Sequence, residues 1–374
     1  MLLANWKRYL VKGLKLKAKK DAYLVLEDGS IFRGASFGGD GYAEGEVVFF
    51  TGMTGYMGVL TDPSYAGQIV VATYPLVGNY GVIEEDLESN KIQVRGFVVR
   101  EQCDYPNNFR CKETIAEYLE KQNITGIEGI DTRALTKKLR NYGTMKGFIT
   151  TNRLPDNKMK ELAMNSEDIS TMDLVADVTT KTPYVLEGKG YHVGILDLGL
   201  KFSVANLINE LGCKVTVIPA FSSVEEIKEY KFDMLFLSNG PGNPETATNA
   251  ITIVKEFIGK TPITGIGLGH QIISIALGGK AYKLKCGHRG NNQPVKHLAT
   301  NKVFISTQNH SYAIDRKSLP KDVEVTHINL HDQTVEGVRA LKDKIYCVQY
   351  YPEASPGSKE SRSILNDFIS LIGR

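Results

Sequence analysis

From residue 191 onward short apolar runs alternate with helix-like stretches, and that rhythm restricts the folds open to this chain of 374 residues more than any other feature. His192-Val-Gly-Ile-Leu-Asp197, Lys214-Val-Thr-Val-Ile218, Met234-Leu-Phe-Leu237 and Ile263-Thr-Gly-Ile266 are too short for helices and read as buried strands, with a helix over Ser203–Leu211 between the first two. Strands joined through helices pair in parallel, because a parallel crossover needs a dozen or more residues and lays its helix on a sheet face. The expectation for 191–374 is a doubly wound, mostly parallel sheet.

The rest of the chain divides by composition. Residues 21–150 open with the β-type runs Ala22-Tyr-Leu-Val-Leu-Glu27 and Glu46-Val-Val-Phe-Phe50, punctuated by Asp28-Gly29. Helical patterns follow over Thr114–Lys121 and Asp131–Asn141, the second opening with Asp-Thr and closing before Gly143, so this half is a mixed α/β domain. Residues 151–190 are polar, rich in Met, Lys and Thr and without a period, as a connector would be. Residues 1–20 form a separate basic extension.

Charge excludes one class of function. Seven basic and no acidic residues lie in the first twenty positions, leaving 38 basic against 42 acidic residues, a net of −4, in the remainder. A nucleic-acid-binding body is therefore not expected, and any positive field belongs to the extension alone. Leu2, Leu3, Trp6, Leu10 and Leu14 among those lysines allow a basic amphipathic helix for a partner or an anionic surface, while a solvated tail is the plainer reading. No window approaches the ~18 uninterrupted apolar residues of a membrane span. The five cysteines (Cys103, Cys111, Cys213, Cys286, Cys347) contain no Cys-x-x-Cys pair, so neither a disulfide framework nor a zinc site is signalled and a reducing cytoplasm is expected. Neither a Gly-x4-Gly-Lys-[Ser/Thr] loop nor a His-Glu-x-x-His motif is present, and no cofactor or metal is expected in this chain.

Gly265-Ile-Gly267-Leu-Gly269-His-Gln271 follows an apolar strand and precedes the helix-like Ile272–Leu277, which is the layout of a nucleophile elbow. The central residue of such a turn sits at a positive-φ corner and projects at the end of the sheet. Here that residue is Gly267. Alone, the motif is also compatible with an ordinary glycine-rich turn.

It is accompanied by Leu237-Ser-Asn-Gly-Pro-Gly-Asn-Pro244, Gln308-Asn-His310 and Tyr351-Pro-Glu-Ala-Ser-Pro-Gly357, in the order of a class I glutamine amidotransferase. Asp197-Leu-Gly-Leu-Lys201, Gly287-His-Arg-Gly290, Met53-Thr-Gly-Tyr56, Leu60-Thr-Asp-Pro-Ser-Tyr65 and Gly129-Ile-Asp-Thr-Arg-Ala-Leu-Thr136 complete the pattern. From about residue 21 to the end, the chain resembles the small subunit of carbamoyl-phosphate synthetase. The resemblance implies a glutaminase in which an elbow thiolate attacks the amide, a His–Glu pair moves protons and backbone amides hold the oxyanion. Released ammonia would pass to a large subunit, which brings ATP and Mg, for pyrimidine or arginine synthesis in a cytoplasmic heterodimer.

The departures from that pattern fall on the chemistry. Gly267 stands where the cysteine belongs, and glycine cannot form a thioester. Tyr351 stands where the general base should be, and a phenol with a pKa near 10 is a poor base at neutral pH. Glu353 alone survives from the triad. Gly52 replaces a serine, Ser311 a glycine and Tyr350 a small residue, and Asn291 and Gln293 also depart from the pattern. Gly240, Gly242, Leu268, Gln271, Asn309 and Tyr312 match ligand-contacting positions, so the expected substrate-binding set is Gly52, Gly240, Gly242, Leu268, Gln271, Asn309, Ser311 and Tyr312, with glutamine as the ligand it would hold. Cys286 is read as an inert thiol rather than a displaced nucleophile, and His270 and His310 as framework. The expectation is a small subunit silent as a glutaminase that supports ammonia-dependent synthesis. Two alternatives stand beside it: glutamine hydrolysis through unconventional residues, and a repurposed regulatory or binding paralogue.

Overall fold

The computed structural model describes residues 19–373, so the expectations for the basic extension lie almost wholly outside it. Nine strands make the first half: β1 (Asp21–Leu26), β2 (Ile31–Gly38), β3 (Tyr42–Phe50), β4 (Gln68–Ala72), β5 (Leu76–Val77), β6 (Gly96–Val98), β7 (Glu101–Gln102), β8 (Thr125–Glu128) and β9 (Met145–Thr150). Seven of them close a barrel in the order β1-β2-β8-β6-β4-β3-β9, while β5 and β7 pair separately. Adjacent residues of β3 and β4 feed different clusters. Val47, Ile69 and Val71 join Leu135 and Leu139, whereas Val48 and Val70 join Phe97, Ile115 and Leu119. Both faces of these strands are thus covered, which is why they read as unbroken apolar runs rather than alternating ones. The helix Ile115–Lys121 starts at a capping box between Thr114 and Glu117, and Thr132–Tyr142 starts with Asp131 accepting from the Ala134 amide.

The second half is a ten-stranded sheet built from β10 (Tyr184–Leu186), β11 (His192–Asp197), β12 (Lys214–Pro219), β13 (Met234–Leu237), β14 (Ile263–Ile266), β15 (Ala281–His297), β16 (Val303–Ile314), β17 (Glu324–Asn329), β18 (Val335–Ala340) and β19 (Ile345–Val348). Its order is β10-β12-β11-β13-β14-β19-β18-β17-β15-β16, with β12, β11, β13, β14 and β19 running parallel and antiparallel strands at either end. Leu196, Leu235, Ile263 and Ile272 pack on one face and Ile195, Phe236, Ile266 and Phe368 on the other, so the parallel part is doubly wound. No described helix is long and apolar enough to cross a membrane.

Residues 151–190 are folded rather than a bare connector. The helix Asp156–Met164 buries Met159 and Ala163 against Tyr23, Val25 and Phe148, and the next segment lays Ile169 and Leu174 over Gly67. The segment thereby reaches the carboxyl ends of the parallel strands, where ligands bind in folds of this kind.

Candidate active-site cleft

The elbow forms where the sequence places it. Gly265 lies opposite Cys347 on β19, the Gly267 amide donates to the Val348 carbonyl at 3.1 Å, and Gly267 caps the helix Leu268–Ala276 with φ 55° and ψ −117°. Only glycine adopts that corner without strain. Gly269 is required for closeness instead, since a Cβ there would run into the Leu237 backbone.

Tyr351 lies against the elbow. It is 2% exposed, and its Cε1 is 3.3 Å from the place a Cβ on residue 267 would take. Its hydroxyl donates to the Asn309 carbonyl at 3.4 Å, and the Lys201 ammonium sits 4.9 Å from the ring centroid. Burial, reinforced by the neighbouring Asp62 carboxyl, pushes the phenol well above its ordinary value. A neutral buried phenol takes no proton from a nucleophile, and residue 267 has no nucleophile to offer.

Glu353 has been drawn into other work. Its Oε1 accepts from Lys201 Nζ at 2.6 Å, and the same ammonium donates to the Ser355 carbonyl at 2.6 Å and lies 3.5 Å from Glu88 Oε1. All three charged side chains are 1% exposed. Burial opposes the charge on Lys201, but Glu353, Glu88 and Asp62 outweigh it and hold the ammonium above its usual range. Burial raises Glu353 above the usual carboxylate range, with Lys201 pulling the other way. Glu88 also accepts from the Ser203 amide and hydroxyl at 3.1 and 2.7 Å, so the cluster fastens the barrel half to the sheet half.

Beside the elbow opens a shallow cleft, continuous with solvent. Gly240, Gly242, Leu268, Gln271, Asn309, Ser311 and Tyr312 line it, all expected from the sequence. Gln271 Nε2 donates to the Tyr312 carbonyl at 2.8 Å and to Gln349 Oε1 at 2.9 Å, which fixes the side chain. Leu268 sits at the first position of its helix, so its amide has no partner inside the helix and points an N–H toward the turn. Asn309 keeps both amide atoms buried without partners, as does Gln68 at Oε1. Such groups cost free energy when left unpaired, and a polar ligand would satisfy them.

Sequence reasoning missed Glu46, Gln68, Ile169, Ser170 and Lys283, which line the same cleft. Glu46 Oε1 accepts from Lys283 Nζ at 2.8 Å and from Thr144 Oγ1 at 2.8 Å, and Arg289, donating to the Ser311 hydroxyl, lies 4.0 Å from Glu46 Oε2. The available signal was charge complementarity between the two halves, which spacing cannot reveal.

One expected member, Gly52, and two further departures from the pattern, Tyr350 and Gln293, sit elsewhere. Gly52 does not line the cleft, because the Phe50 ring and Asn291 Oδ1 fill the space its side chain would need. Tyr350 turns to the opposite face of the sheet, its ring 5.2 Å from Phe304 and 5.5 Å from His327, since consecutive residues of an extended segment point opposite ways. Gln293 belongs to the β15–β16 ladder, its carbonyl accepting from Ser306 Oγ at 3.0 Å. Cys286 is not in the cleft lining, and its carbonyl accepts from Arg289 Nη1 at 2.7 Å. His270 is fully buried with Nδ1 3.3 Å from Cys347 Sγ, and burial pushes it down to about 3, which suits a neutral framework residue. All five cysteines are free.

Residues 24–149 match the family model for the carbamoyl-phosphate synthase small chain, CPSase domain, and residues 194–371 match the model for class-I glutamine amidotransferase. The carbamoyl phosphate synthase small chain of Clostridium perfringens is 49% identical over 93% of this chain and 98% of its own length. The chain belongs to the carbamoyl phosphate synthase small-chain family. The corresponding small chain of Aquifex aeolicus is 48% identical, covering 94% of this chain and 99% of that one. Among solved structures, a putative GMP synthase component from Thermoplasma acidophilum overlaps 50% of this chain and 96% of its own, with TM-score 0.43 and 22% identity.

Proposed function

We propose that this small chain does not hydrolyse glutamine and that it serves a carbamoyl phosphate synthase large subunit running on free ammonia. The observation that carries the reading is the elbow itself: Gly267 at φ 55° with no side chain, and a neutral, buried Tyr351 in the place of the base. In a serine-protease precedent, loss of the nucleophile costs on the order of 10⁶-fold in kcat, and loss of the base adds little because the residues act as a unit. Glu353 offers no remedy while it is held by Lys201. The large subunit would supply ATP and magnesium in the cytoplasm, and this chain would contribute its barrel half, its folded scaffold and the closed elbow. Reconstitution with a large subunit, comparing ammonium with glutamine as nitrogen donor, tests the proposal. Synthesis from ammonium with none from glutamine is expected, and robust glutamine-driven synthesis would reject it.

A second reading concerns the cleft rather than the chemistry. The unpartnered amide atoms of Asn309 and Gln68 Oε1, beside the Glu46–Lys283 pair, favour retention of an amino-acid ligand without turnover. Titration calorimetry with glutamine measures this, and heat that persists unchanged in Asn309→Ala would contradict it.

A further inference from the structure

Outside the elbow, three groups from separate strands face one another beneath the cleft wall. His288 on β15 lies directly opposite His310 on β16, with ring centroids 4.8 Å apart, and Glu336 reaches them from β18. We propose that His288, His310 and Glu336 form a divalent-cation site, with zinc the ion whose chemistry suits the donors best.

The outer nitrogen of each ring is already committed. His288 Nε2 lies 2.9 Å from Asp332 Oδ2, and the Oδ1 of that carboxylate is held by the Thr334 amide at 3.1 Å and hydroxyl at 2.8 Å. His310 Nδ1 lies 2.7 Å from the Tyr312 carbonyl. His310 Nδ1 therefore carries its proton and its inner Nε2 presents a lone pair. Burial opposes a charge on His288, but the Asp332 and Glu336 carboxylates outweigh it and lift the ring to about 9, so an ion entering the common space would displace the proton on the inner His288 Nδ1. Metal-binding histidines are oriented in this manner, by a carboxylate or a backbone carbonyl on the far nitrogen. Glu336 Oε1 lies 3.6 Å from one inner nitrogen and 3.9 Å from the other, and all three ligand atoms fall within 4.8 Å of one another. Bonds of about 2.0–2.2 Å to zinc space neighbouring ligands about 3.3–3.5 Å apart, so closure needs the two rings to approach by up to about 1.5 Å.

A second observation points to a cation in the same space. Gln308 Oε1 lies 3.0 Å from His288 Nδ1 and 3.1 Å from His310 Nε2, while its Nε2 is spent on Ser306 Oγ at 3.1 Å and Glu336 Oε2 at 3.0 Å. At His310, which burial keeps neutral, an acceptor oxygen thus faces a ring lone pair with no proton between them. A cation turns that opposition into ligation, with Gln308 Oε1 as fourth donor. The contacts it would displace are weak: Asn329 Nδ2 reaches His288 Nδ1 at 3.3 Å and Glu336 Oε1 at 3.4 Å. Asp332, 39% exposed at its side chain, marks the way in. Because His310 stands between Asn309 and Ser311, an ion here would stiffen the far wall of the cleft. The rival without an ion keeps a proton on His288 Nδ1, shared with Gln308 Oε1 at 3.0 Å and paired with Glu336 Oε1 at 3.6 Å.

The test uses the full chain, stripped with chelator and titrated with Zn²⁺ and, separately, Co²⁺, with bound metal counted by elemental analysis. One equivalent and a visible absorption band with cobalt from a low-coordinate nitrogen–oxygen site are expected. Asp332→Asn should weaken the affinity 10- to 100-fold, as loss of an orienting partner does. Glu336→Gln should lose the cobalt band, and His331→Ala, at an exposed neighbour, should change nothing. Thermal melts report whether each variant folds; if Glu336→Gln does not, the wild-type cobalt spectrum and Asp332→Asn decide. No stoichiometric uptake, or uptake abolished by His331→Ala and indifferent to Asp332→Asn, would overturn the site in favour of the protonated network.

Discussion

A cysteine returned to position 267 should destabilise the chain without reviving hydrolysis, and a histidine returned to position 351 should relieve part of that cost. The corner at φ 55°, ψ −117° lies outside the regions open to an L-residue with a side chain, at a cost of about 1–3 kcal/mol. A Cβ there would stand 3.3 Å from both Asn239 Cβ and Tyr351 Cε1, tighter than ordinary contact, so the cost should fall in the upper part of that range. At ~2.1 cal/mol/K per residue, cooperative unfolding of this chain carries an entropy of about 0.8 kcal/mol/K, so ~2 kcal/mol corresponds to a melting shift of about 2–3 °C. Replacing Tyr351 by the smaller histidine removes the Cε1 contact, and a double-mutant cycle of Gly267→Cys with Tyr351→His should show a favourable coupling of about 0.5–1 kcal/mol. Denaturant unfolding and melting of the four proteins measure the cycle, and glutamate release from glutamine measures chemistry in the same samples. Gly267→Cys should be inactive and the double variant weakly active, because Ser311 remains in the cleft wall. If Gly267→Cys melted with wild type, the strain argument would fail. If it hydrolysed glutamine unaided, Tyr351 would be serving as a base.

Lys201→Met should cost about 3–5 kcal/mol in denaturant unfolding, because it leaves Glu353 and Glu88 buried without their cation; a change below ~1 kcal/mol would contradict the clasp between the two halves. Burial pushes Asp62 from 3.8 up to about 6, so the folded state binds its proton more tightly than the unfolded chain does. Stability from this group is therefore present below about pH 4 and lost as pH rises through 6, by about 3 kcal/mol at ~1.36 kcal/mol per unit, and Asp62→Asn should flatten the profile between pH 4 and 6; an unchanged slope would refute the assignment. A glutamine-like diazoketone should leave no adduct by intact-mass analysis, and labelling of Cys286 or any cleft residue would favour hydrolysis through unconventional groups.

The parallel strands were legible because they are buried on both faces: β11, β13 and β14 fall at the residues where the apolar runs predict them. The elbow was legible for a different reason, since glycines at 265, 267 and 269 each answer a separate steric demand. Closure of the barrel was not, because it joins Leu24 to Ile149 across β1 and β9, and no local pattern encodes a pairing so distant in sequence. The polar segment 151–190 concealed Ile169 and Ser170 in the cleft because their burial depends on a surface supplied by other parts of the chain. Gly52 and Tyr350 were misplaced since sequence adjacency to a site says nothing of side-chain direction: Phe50 folds into the space at 52, and Tyr350 points to the opposite sheet face from Tyr351.

The most direct measurement is glutamate release from glutamine by the purified chain, alone and together with a large subunit, ATP and magnesium. With no sulfur at residue 267 and no imidazole at 351, release no faster than the blank is predicted in both mixtures. Turnover near ~10 s⁻¹, the middle of the range for ordinary enzymes, would contradict the proposed loss of hydrolysis outright.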